Sequence, residues 1–138
     1  MIRQFTIAAL LTLAPVAHAQ DVTGDWTGRY ICNQGVTALH LVIQTAGKAG
    51  AITATFAFGP PPENPEVPRG LYVMSGTYDQ KARRVKLKGD RWVNQPFGYM
   101  MVGLDGAVAI DGDKITGRIT GMDGCSNFEV RRTAPLIG

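Results

Sequence analysis

Serine, histidine and cysteine are almost missing from this chain. Its 138 residues hold two histidines, two cysteines and two serines, Ser75 and Ser126. A serine-histidine relay has little material, because neither serine sits in a Gly-x-Ser-x-Gly elbow. His40 has no oriented partner nearby of the kind a general base needs. No cofactor motif occurs and no metal site is expected: one histidine outside the N-terminal segment, with two cysteines that can pair, does not make a zinc centre. Strong charge is lacking too. A formal net charge of +3 does not point to nucleic acid. Long apolar runs are absent. The N-terminal Phe5 to Ala14 has no charge but stops at ten residues, where a membrane helix needs about 20. Helical periodicity is also missing, with no apolar residues at i, i+3, i+4 and i+7 through three turns.

The short apolar run has its own meaning. Residues 1–19, MIRQFTIAALLTLAPVAHA, have a basic start at Arg3, the uncharged stretch, a break at Pro15 and the small-x-small ending Ala17-His18-Ala19. This is the pattern of a secretory signal cleaved after Ala19, and it is similar to a bacterial Sec signal. The expected location is periplasmic or secreted. Residues 20–138 then form a single domain of 119 residues carrying +2, large enough for one core and too small for two. In an oxidising compartment two cysteines in one small domain are expected to pair. A Cys32–Cys125 bond would close a loop of about 93 residues.

Short alternating stretches replace helices. ALHLVIQ (38–44) puts Leu39, Leu41 and Ile43 opposite His40 and Val42. AITATFAF (51–58) alternates Ile52, Ala54, Phe56 and Phe58 with smaller residues. LYVMSGTY (71–78), RRVKLK (83–88), YMMVGL (99–104), AVAI (107–110), KITGRIT (114–120) and CSNFEVR (125–131) continue the series. Asp105-Gly106, Asp111-Gly112, Asp123-Gly124 and AGKAG (46–50) carry turn chemistry. The expected fold is all-β: a single antiparallel meander barrel of about eight strands. Closure removes the exposed edges and makes the first and last strands neighbours, so that a disulfide can join them. Two stretches break the rhythm. GPPPENPEVPRG (59–70) has five prolines and cannot be a central strand. GDRWVNQPFGY (89–99) clusters aromatic residues around Pro96.

Gly24-Asp25-Trp26 near the start and Arg131-Arg132 after FEV near the end resemble the pattern of the calycins, the group of lipocalins, fatty-acid-binding proteins, avidins and small bacterial protease inhibitors. The resemblance implies that Gly24 and Trp26 open the first strand. It also implies that the indole is covered by an arginine of the last strand, Arg131 or Arg132, in a cation–π contact. The lipocalin motif after the sixth strand and avidin's ligand-contacting residues are not found. W-x-G-x-Y-x-C at Trp26 to Cys32 and C-x-x-F at Cys125 to Phe128 are also similar to exported bacterial domains.

The candidate sites follow. Tyr72, Trp92, Phe97 and Tyr99 are candidates for a ligand-binding mouth, or else a cap on the core. Arg84, Lys86 and Lys88 project from one strand face, within a run (79–91) of six basic and two acidic residues. They form either a solvated edge or a patch for an anionic glycan, lipopolysaccharide or acidic protein. Glu63, Glu66, Asp105, Asp111, Asp113 and Asp123 fall in turns or the proline loop, where carboxylates act as caps more than as a catalytic pair. Asp111-Gly112-Asp113 offers too few oxygens for calcium. The expected function is an exported, non-enzymatic binding protein taking a small apolar or amphipathic molecule or a cell-envelope component at its loop end. The alternative is an inhibitor of a secreted hydrolase, such as a protease or lysozyme, with a hydrolase as a remote third. No transmembrane segment is expected after the signal.

Overall fold

The computed structural model describes residues 8–9 and 21–133. Apart from Ala8 and Ala9, the expected signal lies outside the described residues, as do residue 20 and residues 134–138. Eight strands follow one another: β1 (Gly24–Cys32), β2 (Gly35–Thr45), β3 (Ala51–Gly59), β4 (Gly70–Asp79), β5 (Arg84–Asn94), β6 (Gly103–Val108), β7 (Lys114–Thr120) and β8 (Asn127–Arg132). Each pairs antiparallel with the next, and β8 returns to β1, so the sheet closes into an up-and-down barrel. There is no helix among the described residues.

The period-two alternation decides which side chains go in. Leu39, Leu41 and Ile43 of β2, and Ile52, Ala54, Phe56 and Phe58 of β3, are buried, as are Val85 and Leu87 of β5. In β4 the mixed pattern resolves with Tyr72 and Met74 inward, and Leu71 and Val73 on the half-buried outer side. Threonines and charged residues take much of the outer wall, the reverse of a membrane-spanning barrel's polarity. Eight strands enclose a space that side chains just fill. Trp26, Tyr72, Phe56, Leu41, Ile43, Met74, Leu104 and Ile115, all below 2% exposed, fill it here.

Three sequence expectations change. Asp105-Gly106 is not a turn: both residues lie inside β6. Gly106 is there for packing, since a Cβ would come within 2.6 Å of Phe128 Cζ and 2.9 Å of Thr116 O. The stretches expected at 99–104 and 107–110 therefore become one strand preceded by a loop. The aromatic stretch 89–99 is half strand, because residues 89–94 complete β5. Register shifts between Leu71 and Tyr72 and between Val73 and Met74 mark a bulge there. The bulge turns Arg91 and Val93 outward while Trp92 leans inward.

The β1–β8 seam is held in three ways. Cys32 and Cys125 form a disulfide between the end of β1 and the segment leading into β8. At mid-seam Gly28 opposes Val130, and a Cβ on Gly28 would collide with the Glu129 backbone. At the other end Arg132, not Arg131, covers the indole of Trp26, with its guanidinium carbon 4.3 Å from the ring centroid. Arg132 Nη1 and Nη2 donate to the carbonyls of Thr23 (2.7 Å) and Asp21 (2.8 Å), and Nε donates to that of Gly112 (3.3 Å). Trp26 Nε1 donates to Val22 O at 3.0 Å. The segment before β1 is thus folded over this end as a plug, with Val22 1% exposed. The Asp21 carboxylate is held below its ordinary pKa, chiefly by the Thr23 N–H it accepts. Arg131 points outward beside Glu129, 3.7 Å away.

Two measurements check this seam. The Cys32→Ser/Cys125→Ser protein should lose about 4–5 kcal/mol in urea unfolding, the loop-entropy contribution of so long a closure. Arg132→Lys keeps the charge but loses the planar stack and most of the carbonyl bonds, and should cost about 1–3 kcal/mol in the same assay.

Candidate functional site at the loop end

In an up-and-down barrel alternate connections share an end. The β1–β2 turn (33–34), the proline loop between β3 and β4 (60–69), the β5–β6 loop (95–102) and the β7–β8 loop (121–126) all lie at the end opposite the Trp26 plug. The disulfide sits there too. The two stretches that broke the sequence rhythm therefore meet at one rim.

Both loops are pinned. Asn64 Nδ2 donates to Gln34 O (2.7 Å) and Val36 O (3.0 Å), Glu63 pairs with Arg29 at 3.0 Å, and Val67 is buried. Prolines limit backbone freedom, and these contacts supply the tether that stiffness alone lacks. In the β5–β6 loop Tyr99 N–H donates to Pro96 O (3.2 Å) and Gln95 Nε2 to Tyr99 O (3.0 Å), with Gly98 at φ 79° closing the turn. The Tyr99 ring stacks on Phe58 with centroids 5.4 Å apart. At the loop's end Tyr72 Oη donates to Val102 O (2.9 Å) and accepts from Val102 N–H (3.0 Å).

The candidate residues separate into three roles. Tyr72 is 1% exposed and belongs to the core. Trp92 and Tyr99 are half-buried at the rim, and Phe97 points fully into solvent. Tyr72, Trp92 and Tyr99 belong to an aromatic cluster that also includes Tyr30, Phe56 and Phe58. Phe56 stacks on Tyr72 at 4.6 Å, and Trp92 meets Tyr72 edge-on at 5.0 Å. Sequence reasoning missed Tyr30, Phe56 and Phe58 as parts of this end, although their place in the alternation marked the two phenylalanines as core. Gln34 Nε2 donates to Thr37 Oγ1 at 2.9 Å and to Tyr30 Oη at 3.4 Å. Thr37, fully buried, thereby has a partner at the mouth.

The mouth holds a pocket of about 220 Å³, lined among others by Tyr30, Gln34, Tyr99, Met100 and Met122. That is below the usual range of about 300–1,000 Å³ for small-molecule sites. Beside it stands an apolar tip. Phe97 is as exposed as a free side chain, Met100 is 65% exposed and Val93 57%.

The remaining candidates lie elsewhere. His40 is on the outer wall, 3.8 Å from Asp25. Ser126 Oγ donates to Asn127 Oδ1 at 3.4 Å. Arg84, Lys86 and Lys88 are exposed on β5, away from this mouth. Among the described residues no group of three histidine, cysteine or acidic side chains is placed to hold a metal, and no helix is long and apolar enough to cross a membrane.

Burial pushes the phenols of Tyr30 and Tyr72 well above the ordinary tyrosine pKa of about 10. Each folded-state pKa is raised, so the stabilisation is whole below pH about 10. It is lost as pH rises from there toward the folded-state values. Tyr72→Phe, which strands both Val102 backbone groups, should cost about 1–3 kcal/mol near neutral pH. It should also flatten the alkaline fall in urea stability measured between about pH 8 and pH 11. Comparison with family models, with curated proteins and with solved structures finds no match to this chain.

Proposed function

We propose that this is an exported, non-enzymatic binding protein that docks through its loop end on an apolar or amphipathic component of the cell envelope. The observation that carries the reading is the apolar tip Val93, Phe97 and Met100. The loop holding Phe97 is anchored by Tyr99 on Phe58 and by the Tyr72–Val102 clasp. A side chain held out in water at the apex of a tethered loop loses little conformational freedom on binding. The filled barrel supports docking at the rim over carriage in the interior. The mouth pocket has room for a short chain or a single side chain.

Export draws support from the N-terminal pattern of residues 1–19 and from the disulfide, since such bonds persist in oxidising compartments. The calycin-like pairing of Trp26 with an arginine of the last strand is consistent with a barrel built to bind at one end. The scatter of Ser126, His40 and the turn carboxylates supports a role without catalysis.

The rival is inhibition of a secreted hydrolase, with the same loop entering an active-site cleft. The ordered presentation of Phe97 favours it as the second reading.

Vesicles of phosphatidylethanolamine and phosphatidylglycerol give a direct test. Trp26 is sealed under the plug while Trp92 sits at the rim, so a blue shift in tryptophan emission reports docking of the loop end. Phe97→Ser should weaken vesicle binding by about tenfold or more, the loss from leaving one aromatic side chain unburied, with urea stability unchanged. Binding that ignores Phe97→Ser would overturn the proposal. Loss of protease or lysozyme activity on mixing, with no vesicle binding, would select the rival.

A further inference from the structure

A second feature lies on the outer wall, away from the loop end. Across β4 and β5, Lys88 is directly opposite Ser75 and Lys86 opposite Thr77. On the other side Lys86 faces Asp105 of β6. The β5–β6 ladder stops at Leu87 and Leu104, and beside Lys88 the bare Gly103 lies against the β5 backbone, adding no side chain over the lysine. Gly76 keeps the floor low, since a Cβ there would run into the Lys86 backbone. The result is a groove of about 330 Å³ in which Gly76, Leu87 and Leu104 form an apolar floor and Ser75, Thr77, Lys86, Lys88, Asp105 and Thr120 supply the polar lining.

The charges in this groove are unequal. The Asp105 carboxylate is engaged by Arg84 Nε at 3.0 Å. Neither Lys86 nor Lys88 makes an ion pair among the described residues, whereas Arg29, Arg84, Lys114 and Arg131 each have a carboxylate within 4 Å. Arg118, opposite Asp105 in β7, adds another exposed cation. Two free ammonium groups on one strand face suit an oxyanion. The three hydroxyls and the neutralised carboxylate suit the donors and acceptors of a sugar, whose hydroxyls can give to Asp105 and exchange bonds with Ser75, Thr77 and Thr120. A solvated strand face needs only the lysines. The hydroxyls of Ser75 and Thr77 directly opposite the two lysines are what a polyhydroxylated anion would use.

We infer that this groove binds a saccharide carrying a phosphate or sulfate ester, with the ester between Lys86 and Lys88 and the sugar over Ser75, Thr77 and Asp105. The site does not depend on the loop-end reading. The same chemistry occurs in free sugar esters and in glycolipid headgroups, and the experiment separates the two.

Backbone amide resonances of the isotope-labelled protein would be followed during titration with a hexose monophosphate, the unphosphorylated hexose and inorganic phosphate. The expected result is shifts confined to the groove segments of β4, β5 and β6 with the hexose phosphate, and much weaker ones with either half alone. Lys86→Gln/Lys88→Gln should raise the dissociation constant at least about tenfold, while Lys48→Gln, at the plug end, should leave it unchanged. Binding should weaken as salt is raised, because the site is exposed. Phosphatidylcholine vesicles bearing a phosphorylated glycolipid, tested with Phe97→Ser in place so that the loop end is disabled, identify a headgroup as the source if they bind while the free ester does not. Absence of groove shifts with both free and vesicle-borne esters, or shifts that survive the double substitution, would overturn the inference. Inorganic phosphate binding as well as the hexose phosphate would overturn its saccharide part.

Discussion

Closure between β1 and β8 is the constraint on which the rest of this structure depends. A helix-free sheet of this size has nothing to cover its edges, and an open edge would expose unpaired N–H and C=O groups. The seam solves this with different chemistry at each height. A covalent bond at Cys32 and Cys125 holds the loop end. A glycine, Gly28, lets the strands come together at the middle. The Arg132 guanidinium ties the plug to β8, reaching back to Asp21 and Thr23. Two of its three carbonyl acceptors, Thr23 and Asp21, precede β1, and the third, Gly112, lies between β6 and β7, so this one side chain joins three segments far apart in the chain.

The same closure makes the two ends unlike. One is sealed by Trp26, Val22 and Arg132, so that its aromatic ring serves stability. The other carries the pinned proline loop, the β5–β6 loop and the staple. Rings fill it from within, and a fully exposed phenylalanine crowns it. Tyr72 illustrates the division of labour. Placed among candidate ligand contacts by its neighbourhood in the chain, it lies inside the wall and uses its hydroxyl to hold Val102, which in turn sets the loop that presents Phe97. It positions the tip without belonging to it.

The outer wall carries a separate chemistry. Alternation that buries Val85 and Leu87 necessarily turns Arg84, Lys86 and Lys88 outward, so the cations are a by-product of the core pattern as much as a feature of their own. Their partners across the ladders, Ser75, Thr77 and Asp105, belong to strands before and after β5. β5 takes part in both features, with Lys86 and Lys88 in the groove and Val93 near the strand's end leading into the loop that carries Phe97 and Met100.

Period-two alternation and glycine-proline punctuation were enough to read an all-β meander from the residues. The export pattern and two well-separated cysteines were enough to anticipate the bond across the seam. Local pattern failed where a residue served a distant neighbour. Asp105-Gly106 has turn chemistry, yet lies within a strand because Phe128 of β8 needs the space over Gly106. The bulge that turns Trp92 in and Val93 out breaks the alternation that would have predicted their sides. Which arginine covers Trp26, which aromatic residue is core and which is tip, and which hydroxyls stand beside Lys86 and Lys88 were decided only by tertiary structure. Each is set by strand register and barrel closure, and these join residues far apart in the chain that no local spacing relates.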